Sequence, residues 1–272
     1  MLQILFLIVL LMPTTMFASS VSEEINTFSN IIENDAATNL TPLLIEAIED
    51  RKEFLKKSPK DYVIINIGSQ LLTVVGNRKT VTTQKVIVGR PTRPTPIFHD
   101  KLRYIVQNPY WNVPTTLAVK DVLPFFRTNP LMIDEYGYEM IDNSTNLPVA
   151  FNFDVNLRNY RIRQKPSDLN SSGTVKFIFD PVADRNVFIH NTPNSELFDY
   201  DVRLFSSGSI RVQDAEELAE LFLGYPLPPT NKKEKVITLL IPIDVYIVDW
   251  PVYIDQDGTI IVNNFTGQTY PR

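Results

Sequence analysis

At 272 residues, 44% hydrophobic and 21% charged, the chain is long enough for one large domain, or one domain with an appendage, and its composition excludes a disordered chain or a coiled coil. Its net charge of -5, with no Lys/Arg run longer than Lys232-Lys233, argues against nucleic acid as the main partner. The absence of cysteine removes disulfides and thiol chemistry, and His99 and His190, the only histidines, have no close ligand spacing, so no metal and no cofactor is expected.

Leu2 to Phe17 is apolar and ends on Ala18-Ser19-Ser20. It is shorter than the roughly 20 residues of a spanning helix, so residues 1–20 are expected to be a signal peptide and the chain to be exported. No Lys or Arg precedes the apolar run, which leaves an uncleaved membrane anchor as the alternative. Val21 to Ser58 reads as helical, with Thr41 as N-cap, Pro42 at the first helical position and Leu44, Ala47, Ile48 and Leu55 on one face. Residues 21–60 are therefore a helical N-terminal segment.

From Tyr62 the pattern changes to strands: Tyr62–Ile67, Leu71–Val75 and Val81–Val88, the last two separated by Gly76-Asn77 at hairpin distance. Pro91, Pro94 and Pro96 then mark a rigid loop carrying Arg90 and Arg93, before a strand at Leu102–Val106. In Asn108-Pro109-Tyr110-Trp111-Asn112-Val113-Pro114 two rings sit between prolines, placed to fill a core edge or to line a groove. Residues 118–172 read as an insertion, helical at first, then irregular and Asn-rich, of the kind that caps a site. Strands return at Thr174–Phe179 and Val187–His190, and a helix at Ala215–Phe222 ends at Gly224. Val236–Pro242, Val245–Val248 and a hairpin through Asp255-Gln256-Asp257-Gly258 form a C-terminal β extension over 226–272 of the domain that spans 61–225. The chain is expected to be mainly β with helices.

The turn Phe205-Ser206-Ser207-Gly208-Ser209-Ile210-Arg211 lies between the strand ending in His190 and the helix that follows. Fifteen residues separate His190 from Ser206. A histidine at a strand end beside a small-polar turn is a candidate base for Ser209, with the backbone N–H groups around Gly208 as a candidate oxyanion hole.

This layout resembles the YkuD-domain L,D-transpeptidases, in particular their YcbB-like branch. That family's motif is a histidine followed, after a bounded spacing, by Ser-His-Gly-Cys, an apolar residue and Arg or Asn. His190, Ser206, Gly208, Ile210 and Arg211 match it. So do Ile87-Val88-Gly89-Arg90-Pro91, Arg93-Pro94-Thr95-Pro96, Asn108–Pro114, Lys176-Phe177-Ile178-Phe179, His190-Asn191-Thr192-Pro193 and Val252–Gly258, covering the chain from about Tyr62 onward. The resemblance implies a β-sandwich of mixed sheets with a partly helical capping insertion, a stem-peptide groove lined by Tyr110 and Trp111, and an Arg211 that supports the turn or meets a substrate carboxylate.

Two departures fall on the reacting positions. Ser209 stands where the family has its nucleophilic cysteine, and Ser207 where it has a histidine. A thiol ionises near pH 8.5 and is readily activated by an imidazole, whereas a serine hydroxyl needs a base that is itself oriented by a third group. The chain is thus expected to be an exported, cell-envelope member of the family, catalytically impaired, whose partners are peptidoglycan stem peptides or a cell-wall protein. The alternative is an active Ser209/His190 acyltransferase on peptidoglycan tetrapeptides.

Overall fold

Strand β1, Tyr62–Asn66, is buried at every position because both of its faces are covered. Val63 and Ile65 point into the main core, while Tyr62 and Ile64 pack under the N-terminal helices α1 (Val21–Asn34) and α2 (Thr41–Lys57). That double burial explains why its sequence is apolar without alternation. The computed structural model describes residues 21–34, 41–180, 187–254 and 260–262. The expected signal segment and the expected turn at Asp255–Gly258 lie outside these.

The chain is mainly β, as its sequence implies, and the hydrogen-bond ladder joins the layers at both edges. It closes in the order β1, β12 (Lys235–Val248), β4 (Phe98–Gln107), β9 (Val175–Phe179), β10 (Ile189–His190), β11 (Ile210–Val212), β3 (Lys79–Ile87) and β2 (Leu71–Gly76), which returns to β1. The sheet is mixed: β1 with β12 and β10 with β11 are parallel, and the other neighbours are antiparallel. Closure removes the exposed edges that an open sheet presents. The interior is filled by Val63, Ile65, Leu72, Val86, Ile105, Phe177, Ile189 and Ile210, with α6 (Ala215–Leu223) adding Leu218 and Ala219.

Local chemistry sets the joints. The β2–β3 hairpin turns at Asn77 and Arg78, both at positive φ (49° and 67°), as a twist-compatible two-residue turn requires. Helix α6 is capped by Asp214, which accepts from the Glu217 N–H, and ends at Gly224 with φ 74°. The two C-terminal strands expected around Pro242 are one strand, β12, whose register shifts between Thr238 and Ile243. The irregularity accommodates the proline without ending the strand.

The insertion between β4 and β9 is a cap with its own core. Its sheet runs β5 (Trp111–Asn112), β8 (Tyr160–Gln164), β6 (Tyr138–Asp142), β7 (Pro148–Val149), all antiparallel. The pairing of β5 with β8 means that the cap sheet begins before residue 118. Over it lie α3 (Thr115–Leu117), a π-helical turn at Ala118–Val122, α4 (Leu123–Thr128) and α5 (Met132–Glu135). Ala118, Val122, Leu123, Phe126 and Ile162 close this second core. Asn170, fully buried, pins the junction by donating to the carbonyls of Pro109 (3.1 Å) and Lys165 (2.8 Å). Among the described residues no helix is long and apolar enough to cross a membrane.

Candidate active site

Register carries His190 to the site. It pairs with Lys176 on one side and Arg211 on the other, so the three side chains share the outer face of the barrel, while Ile189, Phe177 and Ile210 point inward. The turn 206–209 precedes β11 and is held by a second ladder: Ser206 N–H donates to the Val88 carbonyl (3.0 Å), Arg90 N–H to the Ser206 carbonyl (3.0 Å), and Ile210 N–H to the Phe188 carbonyl (2.9 Å).

Inside the turn, the buried Ser206 hydroxyl donates to the Ser209 carbonyl (2.5 Å) and accepts from the Gly208 N–H (3.1 Å). Gly208 sits at φ 111°, where a side chain would be strained. Its N–H, expected to serve in an oxyanion hole, is thus engaged by Ser206. Thr95 fastens the proline loop beneath: its hydroxyl donates to the Gly208 carbonyl (3.0 Å) and accepts from the Gly89 N–H (2.9 Å).

The His190 Nε2 lies 3.0 Å from the Ser209 Oγ, and its Nδ1 lies 2.5 Å from the Asn191 carbonyl oxygen. A carbonyl can only accept, so Nδ1 carries the proton and Nε2 accepts from the serine. The orienting group for the ring is therefore a backbone carbonyl. Asn191 is itself held, donating from its N–H to the Val175 carbonyl (2.8 Å) and from its side chain to Glu216 (3.0 Å). Burial, then the adjacent Arg211 guanidinium, lowers the His190 pKa to about 3. The imidazole is neutral at physiological pH, and the imidazolium that would form on taking a proton from Ser209 is disfavoured.

Arg211 is half-buried, which lowers its pKa, and its Nε is unpartnered and in no ion pair among the described residues. Ser207 points the other way, accepting from Arg93 Nη1 (3.2 Å), and Arg93 forms a two-pronged ion pair with Asp121 of the cap (2.6 and 3.3 Å). Tyr110 and Trp111 belong to the cap's packing: the Arg163 guanidinium lies 4.3 Å from the Tyr110 ring centroid, and Trp111 meets Tyr138 edge-on at 6.2 Å. Thr95, Asp121 and Lys176 join the site without being among the candidate residues that the sequence supplies. Thr95 lies in the Arg93–Pro96 motif and Lys176 in the Lys176–Phe179 motif; Asp121 carried no signal.

The model of the L,D-transpeptidase catalytic domain, YkuD, matches residues 60–253, which takes in the barrel, the cap and the turn. A Haemophilus influenzae protein that carries the provisional name of an L,D-transpeptidase is 34% identical over 165 residues, 59% of this chain and 33% of its own length. The chain thus spans about a third of that relative. Among solved structures, the catalytic domain of the E. faecium L,D-transpeptidase aligns with a TM-score of 0.30 at 11% identity, over 70% of this chain and 98% of that one. An L,D-transpeptidase from Mycobacterium smegmatis aligns with a TM-score of 0.32 at 9% identity, over 69% and 58%. With its family model matched along most of its length, this chain belongs to the L,D-transpeptidase (YkuD) family.

Proposed function

We propose that the chain is an exported protein of peptidoglycan metabolism that binds stem peptides at the turn around Ser209, with acyl transfer strongly impaired. The observation that carries this reading is the environment of His190. Acyl transfer by serine needs the proton of Oγ to pass to Nε2 as the oxygen attacks the acyl carbon. Here the acceptor is a buried imidazole whose pKa is lowered to about 3, beside Arg211 and Lys176, with a neutral carbonyl rather than a carboxylate behind it. Serine, far less acidic than the family's thiol, has the greater need of a strong base and meets a weak one.

A second reading, slow acyl transfer or hydrolysis by Ser209, draws support from the 3.0 Å separation of Oγ and Nε2. Intact-mass spectrometry after incubation with a stem tetrapeptide or a carbapenem separates the two. No adduct is expected on the wild type, whereas Ser209→Cys, alone or with Ser207→His, is expected to gain one. An adduct on the wild type that disappears in Ser209→Ala overturns the impaired reading in favour of the second. Purified sacculi are expected to retain the wild type and Ser209→Ala equally; no retention of either overturns the binding half.

A further inference from the structure

Arg93 stands at the junction of three parts of the molecule. Its backbone is held in a loop that cannot drift from the turn, since Arg93 N–H donates to the Arg90 carbonyl (2.8 Å) and Thr95 joins Gly89 to Gly208. A Cβ at Gly89 would come within 2.3 Å of the Arg93 carbonyl oxygen and 2.5 Å of the Thr95 nitrogen, so loop and strand are in direct contact. The guanidinium therefore has a fixed origin relative to Ser209. Its side chain remains partly accessible, at 23%, and both terminal nitrogens are taken by one carboxylate, Asp121, which is 47% accessible. The same Nη1 also touches Ser207, two residues from Ser209.

Asp121 lies in the cap, on the π-helical turn Ala118–Val122, an irregularity often associated with functional sites. The carboxylate that engages the fork thus comes from a separate packing unit. A partly exposed ion pair contributes little net stability and is readily exchanged. A planar guanidinium selects carboxylates through two parallel hydrogen bonds, whichever molecule supplies them.

From this geometry we propose that Arg93 is the specificity anchor for a ligand carboxylate and that Asp121 is the carboxylate it displaces. The proposal rests on the reading that the site takes stem peptides, and it names the group by which they are selected: a free carboxylate close to the bond presented to Ser209. Binding then exchanges one carboxylate for another on the same fork and releases the cap from the proline loop.

The test is calorimetric, on the full chain, with a stem tetrapeptide bearing a free C-terminal carboxylate and the same peptide as its C-terminal amide. The wild type is expected to prefer the acid by about tenfold, a modest charge-assisted contribution. Arg93→Gln is expected to abolish the preference and Arg93→Lys to keep part of it. Asp121→Asn, which removes the competitor, is expected to bind the acid several-fold more tightly while leaving the amide unchanged. Equal binding of acid and amide by the wild type, a preference that survives Arg93→Gln in a variant with unchanged melting temperature, or no gain in Asp121→Asn overturns the anchor while the stem-peptide reading stands. Binding of neither peptide by wild type or Asp121→Asn overturns both.

Discussion

Lys176 is the side chain most at odds with its surroundings. It is 8% exposed, and its ammonium lies 3.6 Å from the centroid of the Phe188 ring, a favourable but partial replacement for water. Burial lowers its pKa from 10.5 to about 8. The sign of the effect on folding follows from proton binding: between about 8 and 10.5 the unfolded chain holds the proton more tightly, so the penalty of burial is complete below about 8 and gone above 10.5. Its charge also contributes to holding down the pKa of His190, behind burial and Arg211. For His190 the unfolded chain takes up a proton near 6.5 and the folded chain only near 3, so the stability of the neutral ring is intact above 6.5 and lost as pH falls between those values. Lys176→Met is therefore expected to stabilise the protein at pH 7 by roughly 1–3 kcal/mol, a gain that fades as pH rises through 8 to 10.5, because an incompletely paired buried cation is replaced by an apolar side chain of similar length. The same variant is expected to raise the His190 pKa. Thermal melts across pH and an NMR titration of the ring check the two effects; an unchanged ring titration would show that Lys176 does not act on the base.

At the scale of elements, the orientation of the base depends on how β9 and β10 begin and end. Gly173, which leads into β9, has φ 62°, and a Cβ there would lie 2.5 Å from the Asn191 Cβ. Asn191 supplies the carbonyl that fixes the His190 tautomer and is tied to Glu216 at the start of α6, which also accepts from the Thr174 hydroxyl. Gly173→Ala is thus expected to cost about 1–3 kcal/mol by overpacking and to displace the Asn191 carbonyl. Loss of a slowly exchanging Nδ1–H resonance, at a temperature where the variant is still folded, is the readout; a resonance that persists unchanged would mean that Asn191 yields without moving its carbonyl. These dependencies mark the boundary of what the residues alone disclose. Strands such as Tyr62–Asn66 are legible because burial on both faces writes a continuous apolar run; the β2–β3 hairpin is legible because its turn chemistry is local, although it turns at Asn77 and Arg78, one residue later than the expected Gly76-Asn77. The turn around Ser209 is legible because its residues are adjacent and its distance from His190 is a single interval. The Arg93–Asp121 pair and the Thr95–Gly208 tie join residues far apart in the chain, and no local pattern requires either. The cap sheet is equally hidden: β5 and β7 are two residues long, too short to carry a period, and are defined by pairing alone.

Across the whole molecule, the helical pair and the site lie on opposite sides of the barrel. In the closed ring of eight strands β1 and β10 are four steps apart. The helices are fixed on the β1 side by Phe54, which meets Tyr62, Tyr246 and Trp250 edge-on at 5.3, 4.9 and 5.5 Å, and by Arg51. Arg51 is 1% exposed and gathers four parts of the fold: it pairs with Glu24 of α1 (2.6 Å), donates to the Val252 carbonyl of β13 (Val252–Ile254; 2.5 Å) and the Ala47 carbonyl (3.3 Å), and stacks over Trp250 at 4.3 Å. Burial raises the pKa of Glu24, with Arg51 opposing the rise. Removing the arginine leaves a buried carboxylate without its counter-charge, so Arg51→Met is expected to cost roughly 3–5 kcal/mol at neutral pH. The folded-state pKa of Glu24 then rises further, and because the folded chain holds that proton more tightly than the unfolded one, stability recovers as pH falls through it. Glu24→Gln combined with Arg51→Met is expected to regain much of the loss at pH 7, and urea melts of the single and double variants at pH 7 and 5 measure both effects. A single variant no less stable than the double at pH 7 would show that the carboxylate finds another partner. Since the barrel wall separates Arg51 from His190, the folded fraction of either variant is expected to keep the wild-type ring titration and peptide affinity. A shift in either would mean that the helices act on the site through the sheet rather than only securing its far side.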